Sequence, residues 1–130
     1  MNSTIIIIIY ETANNEVPLL DFVSTLPEKL RAKVLNDIDI LEEFGNELRE
    51  PHTKHLEGDI FELRTRQGTN NVRTLFFFYY NRQIVITHGF LKKTNNTPPA
   101  EIERAEKYRI DWIERNSNGL QRVQEGNTKK

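Results

Sequence analysis

Residues 60–91 read IFELRTRQGTNNVRTLFFFYYNRQIVITHGFL and decide the fold, because they hold three strand patterns in close succession. Ile60–Arg66 alternates apolar with polar residues, Val72–Tyr80 is β-branched and aromatic, and Gln83–Leu91 is again rich in β-branched residues. Short polar turns separate the three runs. One face of the third run is predicted to carry Ile84, Ile86, His88 and Phe90. The stretch therefore predicts an antiparallel meander.

The rest of the chain supplies one more strand and three helices. Apolar residues at helical spacing, each run opening near a proline, predict helices at Leu19–Ser24, Pro27–Phe44 and Pro98–Arg115. The run of five isoleucines near the start predicts a strand, Ser3–Tyr10, that is covered on both faces. This run is far too short to cross a membrane. We expect Asn46–Asp59 to be a loop.

The resulting order, β-α-α-β-β-β-α, predicts an α+β domain of two layers. A mainly antiparallel sheet forms one layer, and the helices pack on one of its faces. A chain of 130 residues suits a single domain. We assign residues 1–116 to this domain and the polar residues 117–130 to a flexible tail. The sequence contains no cysteine, which excludes disulfides and thiolate metal sites and fits a reducing cytoplasm.

Charge is distributed unevenly along the chain, although the net charge is only −1. Residues 1–51 hold ten acids and four bases, whereas residues 59–93 hold six bases and two acids. An acidic part followed by a basic part suggests the hypothesis that the chain binds a polyanion. Ordinary surface charge is the alternative, and charge alone favours it.

The bases of the second part lie on the predicted strands. Arg64 and Arg66 are two residues apart and therefore share a face, and Arg73 opens the neighbouring strand. Lys92 and Lys93 directly follow the third strand. We expect a helix-free sheet face to gather Arg64, Arg66, Arg73 and Lys93. Arg binds phosphate in a bidentate manner and keeps its charge, so this face suits RNA. The alternative is a solvated cationic face without a ligand.

Histidines and tyrosines offer further candidates for a site. His52 and His55 lie three residues apart on the predicted loop and suit general acid–base chemistry, because imidazole titrates near neutrality. Each of them alone also fits an ordinary surface histidine, and their single short spacing makes a weak metal site. Tyr79, near a strand end, is a candidate for stacking on bases, while most of the aromatic run is core. His88 is predicted to be a hydrogen-bonded structural residue.

Three segments of the chain resemble the RelE/HigB-like toxins. LEGDIFELR at Leu56–Arg64 resembles their "L-x-G-…-hydrophobic-E-L-R" segment, and VRTLFF at Val72–Phe77 resembles their "Y-R-hydrophobic-hydrophobic-Y/F" strand. HGFLKKT at His88–Thr94, followed by TPPAEIERA at Thr97–Ala105, resembles the ending of the phage-associated HigB-like branch. With the order of elements, the likeness covers roughly residues 5–115.

The resemblance implies the toxin of a type II toxin–antitoxin system. Such toxins are ribosome-dependent endoribonucleases that cleave mRNA in the ribosomal A site without a metal or cofactor. By the same resemblance, Arg73 stabilises the charge of the phosphorane, and Arg64 and Lys93 orient the phosphate or move protons. Arg66 and Lys92 support them. A cognate antitoxin, HigA-like with a helix-turn-helix, is implied as partner, and both proteins are expected in the cytoplasm and not in a membrane.

The sequence departs from the family pattern at two points. Glu62 occupies a place where some relatives carry a cation. The C-terminal catalytic tyrosine of the family has no certain counterpart, because Tyr108 falls within the last helix and suits the core. His52 or His55 would then compensate, since some HigB-like enzymes use loop histidines.

Two other functions fit the same sequence. A ParE-like toxin shares the fold but inhibits DNA gyrase and cuts no RNA. A non-catalytic module that docks a nucleic acid or a protein on the basic sheet is the second alternative, and the low net charge favours it.

Overall fold

A computed structural model describes residues 4–80 and 82–128, with side chains described as far as residue 116. The elements are β1 (Ile6–Ile9), α1 (Pro18–Val23), α2 (Glu28–Phe44), a 3-10 helix (Gly45–Glu47), β2 (Thr53–Glu57), β3 (Ile60–Gln67), β4 (Asn70–Tyr79), β5 (Gln83–Leu91) and α3 (Pro99–Thr128). One sheet has the strand order β1-β5-β4-β3-β2. β1 is parallel to β5, and every other pair is antiparallel. The predicted α+β class with a mainly antiparallel sheet is confirmed.

Two apolar cores lie on opposite faces of the sheet. On the first face, α1 and α2 pack with Leu19, Leu30 and Leu41 on Val72 and Phe76. Alternate residues of β4 point the other way, as the pleat requires. The second core joins strand residues Ile60, Leu75, Phe77, Val85 and Phe90 to Ala105 and Trp112 of α3. The expected packing on one face therefore holds for α1 and α2, and α3 covers part of the face that we expected to be helix-free.

The segment that we predicted as a loop, Asn46–Asp59, contains β2. This strand pairs antiparallel with β3 at the outer edge of the sheet. Its residues TKHLE show no clear alternation of apolar and polar types, because most of them are exposed at the edge. His55 consequently lies within a strand and not on a loop.

A bulge in β5 overturns the predicted face of its second half. Leu75 of β4 pairs with His88, but the next residue, Phe76, pairs with Ile86, so Thr87 is an extra residue. A bulge of this kind reverses the sidedness of everything that follows it. Ile84 and Ile86 accordingly belong to the first core, while His88 and Phe90 face α3.

The first strand and the last helix differ from what the sequence predicted. β1 is an edge strand that is covered in part on both faces, because Ile7 and Ile9 pack against the first core and Ile8 against the second, while Ile6 is half exposed. The backbone of α3 is helical to Thr128, beyond the predicted end at Arg115. We predicted a flexible tail at residues 117–130. The side chains of these residues lie outside those described, so the division of the chain into a domain and a tail at residue 116 stays a prediction. In the part of the chain that the structure describes, no helix combines the length and the apolar character needed to cross a bilayer.

Gly89 follows the bulge and allows α1 to approach β5 closely. A Cβ atom at this position would lie 2.9 Å from Phe22 Cδ2 and 3.4 Å from the carbonyl oxygen of Arg73. We expect Gly89→Ala to lower the free energy of unfolding by about 1–3 kcal/mol, the usual cost of overpacking. Urea denaturation measures this loss. In a Phe22→Ala background the same substitution should cost less, and an equal cost in both backgrounds would show that the contact is not its cause.

Candidate anion-binding cleft

Three neighbouring strands bring cationic side chains to one end of one sheet face. Arg64 of β3 lies directly opposite Arg73 of β4 in the register, and Arg66 follows two residues later on the same face. Beyond β5, the N–H of Lys92 donates to the carbonyl of Asn71 at 2.8 Å and continues the ladder. Because of the bulge at Thr87, Lys92 lies on the same face of the sheet as Arg73. Without the extra residue, Lys92 would point to the opposite face.

These residues line a cleft of about 960 Å³ that runs past the β3–β4 turn to α2. We call it the cationic cleft. Its cationic lining residues are Lys33, Arg64, Arg66, Arg73, Lys92 and Lys93. His52 and one carboxylate, Asp37, also line it within the described part of the chain. Six of the eight predicted site residues are thus brought together, in a surrounding that attracts anions.

Arg73 forms the floor of the cleft and is only 8% exposed. Its Nε lies 3.5 Å from Glu62 Oε2, and its Nη1 donates to the carbonyl of Val72 at 3.3 Å. Among the described residues, this buried Nε finds no hydrogen-bond partner of good geometry. Burial lowers the pKa of Arg73, Glu62 opposes that effect, and the neighbouring Arg64 adds to it. The guanidinium nevertheless stays charged, because arginine does not lose its proton in proteins.

The sequence-based picture of an open cationic face therefore needs a correction. Glu62, on the same face, accepts a hydrogen bond from Arg64 Nε at 3.0 Å and pairs with Arg73. One carboxylate thus offsets part of the positive charge of two guanidinium groups. A ligand reaches Arg64 at the cleft wall more easily than Arg73 at its floor, since the Arg64 side chain is 26% exposed.

The two lysines of the cleft differ in their surroundings. Lys92 is half-buried, and burial lowers its pKa, with a further lowering from the charge of Arg73. A lysine with a lowered pKa gives up its proton more readily near neutrality. Lys93 is exposed at the mouth of the cleft. Lys92, which sequence reasoning gave only a supporting place, thus has the environment that suits proton transfer better.

Two of the predicted site residues do not line the cationic cleft, although His55 lines a smaller groove beside it together with Arg64 and Lys92. Tyr79 packs on the Trp112 ring with centroids 4.8 Å apart, at the end of β4 remote from Arg73. Six residues of strand separate Tyr79 from Arg73, which is roughly 20 Å. His55 packs on Phe61 at 4.9 Å, and its Nε2 lies 2.6 Å from the carbonyl of Gly58. The structure therefore supports neither side chain as part of this cleft.

Asp37 and Lys33 of α2 line the cleft and were missed by sequence reasoning. Asp37 is buried, accepts a hydrogen bond from Thr65 Oγ1 at 2.7 Å and pairs with Lys33 Nζ at 3.0 Å. The signal was present, because Asp37 directly precedes Ile38 and follows Val34 by three on the apolar side of the helix. An acid at such a position needs a partner. Here the partners fix α2 to β3 beside the cleft.

His88 and Tyr108 belong to the packing of α3 and not to the cleft. His88 is buried, its Nε2 lies 2.9 Å from Glu101 Oε1 and its ring lies edge-on to Tyr108. Burial lowers the pKa of His88, and the contact with Glu101 opposes this. Tyr108 also stacks on Tyr10 at 4.6 Å. The predicted structural role of His88 is confirmed, and Tyr108 is not placed to serve as a catalytic tyrosine of this cleft.

Side chains suited to holding a metal ion do not converge in this structure. Within the described residues, three or more histidine, aspartate or glutamate side chains nowhere gather closely enough to bind one. The donors that do converge are cationic, and they suit an anionic group such as a phosphodiester.

Comparisons with known proteins identify the family of the chain. The family model described as phage-derived protein Gp49-like (DUF891) matches residues 21–109. Two proteins of Mycobacterium tuberculosis, from strains CDC 1551 / Oshkosh and ATCC 25618 / H37Rv, are each named "Probable endoribonuclease HigB1". Each is 31% identical to this chain over 80 residues, which is 62% of either length. The chain thus spans less than two thirds of these relatives. Since the family model covers more than half of the chain, the protein belongs to the phage-derived Gp49-like family, one of the HigB/RelE-like toxin families.

Proposed function

We propose that this protein is the toxin of a type II toxin–antitoxin system and cleaves mRNA on the ribosome. The observation that carries the proposal is the cationic cleft, in which Arg64, Arg73 and Lys92 surround a space fit for a phosphodiester. The name of the mycobacterial relatives, probable endoribonuclease, supports this proposal. Membership of a HigB/RelE-like family supports a cytoplasmic toxin held inactive by a HigA-like antitoxin.

The proposed reaction needs only the RNA and side chains of the protein. The ribose 2′-oxygen attacks the adjacent phosphorus, and its proton passes to a base in the cleft. The bond from phosphorus to the 5′-oxygen then breaks, and this oxygen receives a proton. The products are a 2′,3′-cyclic phosphate and a 5′-hydroxyl. No metal takes part in this scheme.

Three kinds of side chain divide the work in this scheme. Arg73 and Arg64 stabilise the extra negative charge of the phosphorane, because fixed guanidinium groups need no reorganisation as the charge develops. His52 and Lys92 are the candidates for proton transfer, because both line the cleft, imidazole and amine groups serve as general acids or bases, and burial lowers the pKa of Lys92. Lys93 and Arg66 hold the flanking phosphates at the mouth. This scheme uses Lys92 where the family pattern suggested Lys93.

A non-catalytic RNA-binding module is the second candidate, and one observation favours it. Arg73 is nearly buried and paired with Glu62, which leaves little of it for a polymer to reach. A module of this kind would bind RNA at the cleft wall without cutting it. A ParE-like action on gyrase lacks a comparable observation.

Primer extension on an actively translated message tests the proposal. Purified protein added to a reconstituted translation reaction should produce new 5′ ends that carry a hydroxyl. These ends should be absent when ribosomes are omitted, because the proposed substrate is the message in the A site. Intact message together with RNA binding would establish the module instead. Intact message with blocked gyrase supercoiling would establish the ParE-like action.

A further inference from the structure

Glu62 is the most deeply buried charged side chain near the cleft, with 1% of its side chain exposed. One oxygen, Oε2, lies 3.0 Å from Arg64 Nε and 3.5 Å from Arg73 Nε. The other oxygen, Oε1, accepts a hydrogen bond from Thr97 Oγ1 at 2.5 Å. A buried carboxylate is costly unless it is paired. Here each oxygen has a partner, and the two sets of partners come from different parts of the chain.

The register of the sheet explains this convergence. Glu62 precedes Arg64 by two residues and therefore shares its face. Across the ladder, Glu62 pairs with Leu75 of β4, so that Arg73 is its diagonal neighbour on that strand. Side chains at diagonal positions are within reach when they are long. Both guanidinium groups therefore meet the carboxylate from neighbouring strands.

Thr97 connects this cluster to the loop that carries the lysines. It lies in the segment between β5 and α3, five residues after Lys92 and two before α3 begins at Pro99. Its hydroxyl donates to Glu62 Oε1. Thr97 also lines, with Lys92 and Arg64, a smaller groove of about 200 Å³ beside the cleft. Glu62 thus joins Arg64 and Arg73 to the loop of Lys92 and Lys93.

We propose that Glu62 is a positioning residue, which fixes the guanidinium groups of Arg64 and Arg73 and the loop of Thr97 in the geometry that binds the scissile phosphate. This inference rests on the proposed function. It assigns a role to the residue at which the sequence departs from relatives that carry a cation. Glu62 lowers the positive charge of the cleft and so weakens its attraction for RNA. In return it preorganises two arginines, and misplacement of such groups by about 1 Å can cost about 10²-fold in rate.

Charge and geometry make opposite predictions for Glu62→Gln. The amide keeps the size of the side chain and can still accept the hydrogen bond of Thr97, but it loses the charge that holds two guanidinium groups. We expect the cleavage rate constant at saturation to fall by about 30- to 100-fold. We expect the Kd for a short single-stranded RNA to stay the same or to decrease a few-fold, because one negative charge leaves a cationic cleft. A merely structural role would not separate rate from binding in this way.

The measurements use the whole chain with ribosomes programmed with a message. Single-turnover cleavage gives the rate constant, fluorescence anisotropy gives the Kd of the RNA, and thermal denaturation confirms folding. Glu101→Gln is the matched control, because Glu101 is also an acid in contact with a base, His88, on the face covered by α3, but it lies outside the cationic cleft. We expect this control to cleave within about threefold of the unmodified protein, as expected for residues outside the site.

Thr97 provides an independent variant that leaves both charges in place. Thr97→Val removes the hydroxyl that donates to Glu62, and we expect a loss in rate of about 5- to 10-fold, the usual worth of such a hydrogen bond. Thr97→Ser restores the hydroxyl and should restore the rate. If Glu62→Gln does not fold, the Thr97 pair decides the matter, and equal rates for Val and Ser would overturn the inference.

The outcomes separate this inference from the proposed function. If the unmodified protein does not cleave translated message, the proposed function fails. If it cleaves and Glu62→Gln cleaves equally fast, the proposed function stands and the role of Glu62 is refuted. A parallel loss of rate and RNA binding in Glu62→Gln would also refute the positioning role, because it would show that the carboxylate only maintains the shape of the cleft.

Discussion

Replacing Arg73 and Lys93 together by alanine will abolish growth arrest and reduce message cleavage by at least about 10²-fold, the usual effect of removing one donor to a developing oxyanion. Arg73 lies at the floor of the cationic cleft and Lys93 at its mouth, so the double variant removes charge from both ends of the proposed phosphate path. The expected loss is in the rate. Binding of the antitoxin should persist. Its persistence would show that the rest of the domain is still folded.

A matched pair of substitutions controls for the change in net charge. Arg82→Ala with Lys107→Ala also removes two cations, both of them exposed, and neither of these residues lines the cationic cleft. This control should still arrest growth. Arg73→Lys is a useful third variant, because it keeps the charge beside Glu62 but loses the planar fork that binds phosphate. Full toxicity of the Arg73→Ala, Lys93→Ala variant would show that the site has been assigned to the wrong residues.

Periodicity along the chain predicted the elements well where one face of the element is buried. The extent of β5 was predicted correctly, and α2 begins one residue later than predicted and ends at Phe44 as expected. In α2 the side chains of Leu30, Val34 and Leu41 are all buried, as their helical spacing indicated. β2 escaped notice because an edge strand has one partner and little to bury, so its sequence lacks the signal.

Sidedness was harder to predict than the presence of elements. The spacing of apolar residues in α3 shows that Ala105 and Trp112 are buried, but not which face of the sheet covers them. The bulge at Thr87 has no mark in the local sequence, and it moves His88 and Phe90 to the face opposite Ile84. Pairing between strands sets such bulges, and a single sequence does not show the pairing.

The candidate site shows the same division between local and non-local information. The two-residue spacing of Arg64 and Arg66 and the position of Arg73 on the next strand predicted their common cleft. The contacts of Arg64 and Arg73 with Glu62 also depend on the diagonal register, and Glu62 is bound in turn by Thr97, which is 35 residues away along the chain. Tyr79 was a reasonable candidate as an aromatic near a strand end, but Trp112 from α3 packs against its ring. Contacts between distant segments thus decided which candidates face the cleft.

Trp112 holds α3 on the second face of the sheet, and its truncation gives the largest expected effect on stability. The side chain is 7% exposed and packs edge-on against Phe77 and Tyr79, with ring centroids 5.9 and 4.8 Å apart. Truncation of a buried tryptophan to alanine typically costs about 3–5 kcal/mol. Domains of this size have a total stability of about 5–15 kcal/mol. We therefore expect Trp112→Ala to lower the free energy of unfolding by about 3–5 kcal/mol in urea denaturation.

Ile110→Ala, at an exposed position of the same helix, is the matched control and should cost less than about 1 kcal/mol. The Trp112→Ala variant also tests the support of the cleft. Thr97 connects the loop of Lys92 and Lys93 to Glu62, and it lies two residues before α3 begins. If α3 releases from the sheet in Trp112→Ala, the loop loses its support on one side. Cleavage should then fall at temperatures where the rest of the domain is still folded. A loss below about 1 kcal/mol would mean that the second core does not depend on α3, and that the first core, with α1 and α2, stabilises the sheet alone.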